Sequence, residues 1–169
     1  MPDLLNLPVI SRIRRNHGLE HATLTTLAHR FPHRRLAGYS DPGGFWILGD
    51  LETEPLADTV LEALERLRRG ERNLAVHPNC GTNFAIAGIL AGLAGALAML
   101  GSGPRRRDKL ERLPLAAVLA TLALIAAQPL AFIVQSRITT CGDPGGLAVT
   151  QVLRQQQGRL VLHRIRTKG

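Results

Sequence analysis

A chain of 169 residues has room for one modest domain plus a membrane anchor, and not for two large domains. Its net charge of +8 is unevenly placed: residues 1–83 hold ten basic and ten acidic side chains, residues 101–113 five against two, and residues 135–169 six against one. Only six aromatic residues are present, too few to interleave with the arginines as a stacking surface, so the basicity makes no nucleic-acid face; it fits anionic lipid headgroups instead.

In chain order, the opening MPDLLNLPVISRIRR places its apolar run before its positive charges, the reverse of a cleaved signal peptide. Residues 10–31 have helical spacing, with Ser11 as a cap, Ile13, Leu24, Leu27, Ala28 and Phe31 on one stripe, and Pro32 as the stop. Short strands are expected at 36–40 and 45–49 around Asp41-Pro42-Gly43-Gly44, where proline presets one turn position and glycine supplies a positive φ. Residues 55–69 predict a helix opened by Pro55 and closed by Gly70, with Leu56, Val60, Leu64 and Leu67 on its buried face. A short strand is expected from Leu74 to His77.

Two charge-free segments follow, Phe84–Leu100 and Pro114–Val134, each within the roughly 17–25 residues that a membrane-spanning helix needs. Neither has the polar face of a soluble helix. In the first, Gly88-xxx-Gly92 offers a close-packing face for the second span or for a second copy. In the second, Gln128-Pro129 suggests a kink and an interior-facing surface. Beyond the hairpin, CGDPGGLAVTQVL repeats the pattern SDPGGFWILGD, which suggests strands of one shared sheet. A terminal hairpin is expected from Leu147–Leu153 and Leu160–Ile165 around Gln155-Gln156-Gln157-Gly158. The expected fold is thus an α+β membrane protein: a small α/β domain over 1–83, a transmembrane hairpin over 84–134 with the basic loop 101–113, and a C-terminal β-hairpin over 135–169 joining the sheet. Lysines and arginines near the spans tie at five on each side. Because exporting 83 residues without a signal is the harder route, cytosolic termini are expected.

The strongest chemical signal is His17-Gly18-Leu19-Glu20-His21. On a helix, positions i and i+4 point the same way, so both imidazoles can reach one metal ion. Glu20 is placed beside them to take a proton from a metal-bound water. The cluster interrupts an apolar stripe, and buried polar groups need partners, which a metal would supply. A zinc site needs a third protein ligand. His77-Pro78-Asn79-Cys80-Gly81-Thr82-Asn83 offers His77 and Cys80 just before the first span, where the helix N-terminus favours a thiolate. Glu52, Glu54, Glu62 and Cys141 are further candidates. With only Cys80 and Cys141 present, no disulfide framework exists.

The pentapeptide resembles the His-x-x-Glu-His motif of inverzincin metallopeptidases, which implies two histidine ligands, His17 and His21, with Glu20 as general base. From about Arg14 to Gly146 the chain also resembles an uncharacterised family of small bacterial membrane proteins. The resemblance is carried by Asn16-His17, Glu20-His21-Ala22 and the segment from His77 to Asn83, and it implies a multi-pass protein of the bacterial inner membrane. Three functions are consistent with these residues. The first is a membrane-anchored zinc peptidase or related hydrolase acting on a protein or peptide near the bilayer. The second is a non-enzymatic membrane module with a structural metal or polar site for a protein partner. The third is a hydrolase or acyltransferase with Cys80 as nucleophile and His77 as its base. A homo-oligomer is compatible with all three.

Overall fold

The structure is a computed structural model that describes residues 4–169. The chain divides into two compact units, one comprising the described residues up to His77 with Ser136–Gly169, the other Pro78–Gln135.

The first unit is built around helix α1 (Pro8–Arg30). It starts two residues earlier than residue 10 and without Ser11 as its cap, because Pro8 occupies the first helical turn, where its fixed φ suits the helix and its missing N–H costs nothing. From Gly18 to Leu24 every residue is buried, so α1 is central and not merely amphipathic, and Ala28 is exposed. Thr23 and Thr26 manage burial by donating their hydroxyls to the carbonyls of Leu19 and Ala22, each at 2.8 Å.

Strands β1 (Ala37–Asp41) and β2 (Gly44–Leu48) form an antiparallel hairpin, and helix α2 (Thr53–Arg68) follows. Arg72–Ala75 is a 3₁₀ turn, where the sequence had suggested a strand. Glu71 sets this up by accepting two hydrogen bonds from the Arg66 guanidinium at the end of α2, at 2.9 and 2.7 Å. The last strands are β3 (Ala148–Gln157) and β4 (Leu160–Lys168), longer than expected, with Gln155–Gln157 inside β3 and the turn moved to Gly158-Arg159. The sheet order is β1-β2-β4-β3 with every neighbour antiparallel, so the C-terminal hairpin does join the N-terminal sheet. Leu19, Leu27, Phe45, Ile47, Leu56 and Ile165 are fully buried in its core; burying each such side chain is worth about 1.5–3 kcal/mol.

The repeated Asp-Pro-Gly-Gly segments share their turn chemistry. Asp41 Oδ1 accepts the Gly43 N–H at 2.7 Å, and Asp143 Oδ1 accepts the Gly145 N–H at 2.9 Å. The first closes a hairpin; the second is a free-standing turn leading into β3. Asn16, fully buried on α1, ties the helix to the sheet: its Nδ2 donates to the Asp41 carbonyl at 2.8 Å and its Oδ1 accepts the Thr167 hydroxyl at 2.7 Å.

The second unit is an antiparallel pair, α3 (Gly81–Met99) and α4 (Arg106–Val134), the latter continued by a π turn over Gln135–Thr139. Both are long and apolar enough to cross a membrane. Helix α4 begins well before Pro114, since Asp108 caps it by accepting the Arg105 N–H at 3.3 Å. The helices meet through alanines: Ala87 and Ala98 of α3 and Ala127 and Ala131 of α4 are buried, small residues that allow close backbone approach. The glycine face expected to serve the second span does not do so, because added Cβ atoms at Gly88, Gly92 and Gly95 would meet open space. Gln128 is exposed and not interior. A buried polar pair lies about two turns further along, where Gln135 Nε2 donates to Asn83 Oδ1 at 3.0 Å.

Candidate metal centre

His17 and His21 lie one helical turn apart on α1, with ring centroids 4.3 Å apart and planes tilted by 60°. Each ring is fixed by a backbone carbonyl. His21, 2% exposed, sets Nδ1 against the Ala75 carbonyl at 2.8 Å, at the end of the 3₁₀ turn. His17 sets Nδ1 against the Thr139 carbonyl at 3.0 Å. A carbonyl only accepts, so each Nδ1 carries a proton, and in the neutral ring Nε2 is the nitrogen with the lone pair. That arrangement, in which one ring nitrogen is held by a carbonyl while the other presents a lone pair, is what orients metal-ligating histidines.

The segments supplying those carbonyls are held tightly. The Cys141 N–H donates to the Arg14 carbonyl at 2.9 Å. The Arg14 guanidinium donates to the carbonyls of Arg137, Ile138 and Thr140 at 2.8, 2.7 and 3.2 Å, a cation gathering carbonyls at a helix C-terminus. Gly18 makes the approach possible: a Cβ there would collide with the Cys141 carbonyl oxygen. The glycine of the His-Gly-Leu-Glu-His motif is therefore a packing requirement that spacing alone did not reveal.

The His77 ring lies 5.7 Å from that of His21, at 38°. Three residues on, Cys80 is buried at the N-cap of α3, a position whose positive dipole end favours the thiolate. Within the first unit the rings of His17, His21 and His77 thus stand in a row along one side of α1, and His17 and His21 are near enough to share one metal ion. Glu20 is 4% exposed, and its carboxylate packs over Gly38 of β1, where a Cβ would collide with it. Its carboxylate is thus buried against β1, on the residue next in sequence to His21. The remaining candidates have other attachments. Glu62 accepts from Arg30 at 2.8 Å, Glu52 precedes α2, and the Cys141 thiol donates to the Asp143 carbonyl at 3.3 Å.

Away from this group, Arg164 binds Asp41 through two hydrogen bonds of 2.7 and 2.8 Å and lies 5.1 Å from the Trp46 ring centroid. The Arg164 hydrogen bonds hold the Asp41 carboxyl below its usual range, assisted by the Gly43 N–H. His163 of β4 is fully buried with Nε2 at 3.3 Å from the Thr53 hydroxyl and Nδ1 without a hydrogen-bond partner among the described residues. Burial and the nearby Arg154 push its pKa down, against an opposing pull from Glu52.

The sequence profile of a family described as "Domain of unknown function (DUF6391)" matches residues 12–152, which span the whole of the group. An uncharacterized protein of Picosynechococcus sp. is 39% identical, over 83% of this chain and 71% of its own length. No solved structure matches.

Proposed function

The chain belongs to the DUF6391 family, a domain of unknown function, and from that premise we propose that it is a membrane-anchored zinc hydrolase, most plainly a peptidase, with its metal on His17, His21 and Cys80. The single observation that carries this reading is the pair of imidazoles one helical turn apart on α1, with ring centroids 4.3 Å apart; Cys80, three residues beyond His77, is the third ligand by its place in the sequence. The two carbonyl-fixed Nδ1 atoms support it, because they leave Nε2 as the donor on both rings. Nitrogen and thiolate donors together suit zinc. Three protein ligands leave one tetrahedral position for water or substrate, the mark of a catalytic site, whereas structural sites are closed by four.

In this reading zinc supplies Lewis acidity and brings the pKa of a coordinated water down to about 7. The protein supplies the rest. His17 and His21 would hold the ion, Cys80 would supply its sulfur ligand, and the buried Glu20 carboxylate would take up a proton and return it to the leaving group. The exposed apolar surfaces of α3 and α4, including Phe84, Leu93, Leu97 and Ile125, support anchorage in a bilayer.

A second reading is favoured by the nearness of the His77 ring to His21: His77 as a fourth ligand would close the site and make it structural. Cobalt substitution separates the two. An open site gives a visible spectrum that changes with pH as bound water ionises, and Glu20→Gln keeps stoichiometric metal while abolishing hydrolysis of fluorogenic peptides. A closed site gives a pH-invariant spectrum that His77→Ala alters, and no hydrolysis. Absence of bound metal removes both readings.

A further inference from the structure

The outer face of the sheet is not used by the core. Helices α1 and α2 pack on the face bearing Phe45, Ile47 and Ile165. Strand alternation turns Trp46, Leu48 and Leu162 to the other face, and the register sets Tyr39 opposite Trp46 and Leu153 opposite Arg164. Tyr39, Trp46, Leu48 and Leu162 line a shallow groove there with Gln155 and Gln157. Tyr39, on the edge strand β1, and Leu160, beside the β3–β4 turn, are 66% and 60% exposed.

Charge on this face is one-sided. Asp41 is its acidic residue among the described ones, and Arg164 neutralises it. Arg166 and Lys168, next along β4 on the same face, are exposed and pair with no carboxylate among the described residues. Arg159, exposed in the β3–β4 turn, adds a cation at the opposite end of the face. Tryptophan and tyrosine with leucines inside a cationic rim is the composition of surfaces that settle at a bilayer's headgroup level.

We propose that this face, centred on Trp46 and rimmed by Arg166 and Lys168, docks on an anionic lipid surface. The inference rests on the reading that α3 and α4 span the bilayer: the chain then tethers the sheet to that surface, and the tether supplies the effective concentration that lets a modest patch stay bound. An acidic peptide would satisfy the cations but leave the aromatic and leucine area without an apolar partner. A bilayer interface satisfies both.

Trp46 is the chain's only tryptophan and so serves as its own probe. The full chain is reconstituted in vesicles of phosphatidylcholine alone or mixed with an equal part of phosphatidylglycerol. Tryptophan emission is then quenched by lipids brominated near the glycerol backbone, or by aqueous iodide. Docking predicts lipid quenching and shielding from iodide in the anionic vesicles, both weakened in phosphatidylcholine and by molar salt, where screening shortens to about 3 Å. Arg166→Glu with Lys168→Glu should lower the docked-to-free ratio by at least about tenfold, since each basic residue near such a surface matters severalfold. Trp46 open to iodide and untouched by lipid bromines in both vesicles overturns the proposal. Shielding from both quenchers that fades on diluting protein in lipid also overturns it, and assigns the face to a second copy. Alkaline carbonate extraction keeps the two levels apart: release of the chain overturns anchorage and the docking with it, whereas retention with an iodide-accessible Trp46 overturns the docking alone.

Discussion

Replacing Asn16 by alanine tests how α1 is fixed before any metal binds. Asn16 has no exposed surface and makes one hydrogen bond to the Asp41 carbonyl and one from the Thr167 hydroxyl. Truncation leaves both partners short of a hydrogen bond in a buried place, at about 1–3 kcal/mol for each such group. Taking the middle of that range for two groups, the loss is about 3–5 kcal/mol once the small cavity is included. Thermal unfolding in detergent, followed by Trp46 emission, should show a midpoint lowered by roughly 10–20 °C for a domain of this size. Thr167→Val removes one of the two bonds and should cost about 1–2 kcal/mol. Because the two residues share that bond, the double variant should be less destabilised than the sum of the singles, by about 1 kcal/mol. A loss under about 0.5 kcal/mol for Asn16→Ala, or strict additivity in the cycle, would refute the reasoning.

The other predictions follow from the same geometry. Gly18→Ala puts a methyl into the Cys141 carbonyl, so it should cost about 1–3 kcal/mol by overpacking; chelator competition should also show weaker zinc binding, because the Thr139 carbonyl that holds His17 lies two residues from the point of collision. His163 has a lowered folded pKa, so its contribution is whole above the unfolded value of about 6.5 and is lost as pH falls from there toward the folded value. His163→Gln should flatten the stability profile on the acid side of neutrality, and an unchanged slope counts against the assignment. For Asp41 the sign is the same and the window lower: its carboxyl is depressed, so stability is present above about 3.9 and is lost as pH falls through the folded value. Arg164→Met should move that acid limb upward in unfolding titrations. Glu20→Gln should leave metal content unchanged and stop turnover, as set out above.

Most of the fold was legible because local chemistry and tertiary need agreed. Both Asp-Pro-Gly-Gly segments form the turns their residues favour, and the alternating apolar runs around them became paired strands. Where they disagreed, tertiary contacts decided. Leu74–His77 has strand-like residues but lies where Arg66 and Glu71 turn the chain, so Leu74 and Ala75 end a 3₁₀ turn whose last carbonyl holds His21, and no strand forms. Gly88-xxx-Gly92 reads as a helix-packing motif, yet alanines form the contact between α3 and α4, and spacing cannot tell which of two small-residue faces is used. At the candidate site, His17, Glu20, His21, His77 and Cys80 stood out by residue type. Their second attachments did not, because the Ala75 and Thr139 carbonyls belong to backbone 54 and 122 residues away. The roles of Gly18 and Gly38 were hidden likewise, since glycine in sequence says nothing of what comes close to it.

The central claim is that two imidazoles and one thiolate of this chain share a metal ion. X-ray absorption at the zinc edge, on protein purified from membranes without chelator, tests it most directly. The account predicts one sulfur at about 2.3 Å and nitrogen or oxygen neighbours at about 2.0–2.1 Å, in a four-coordinate shell. Stoichiometric zinc with no sulfur in its shell, or no stoichiometric metal at all, would contradict it.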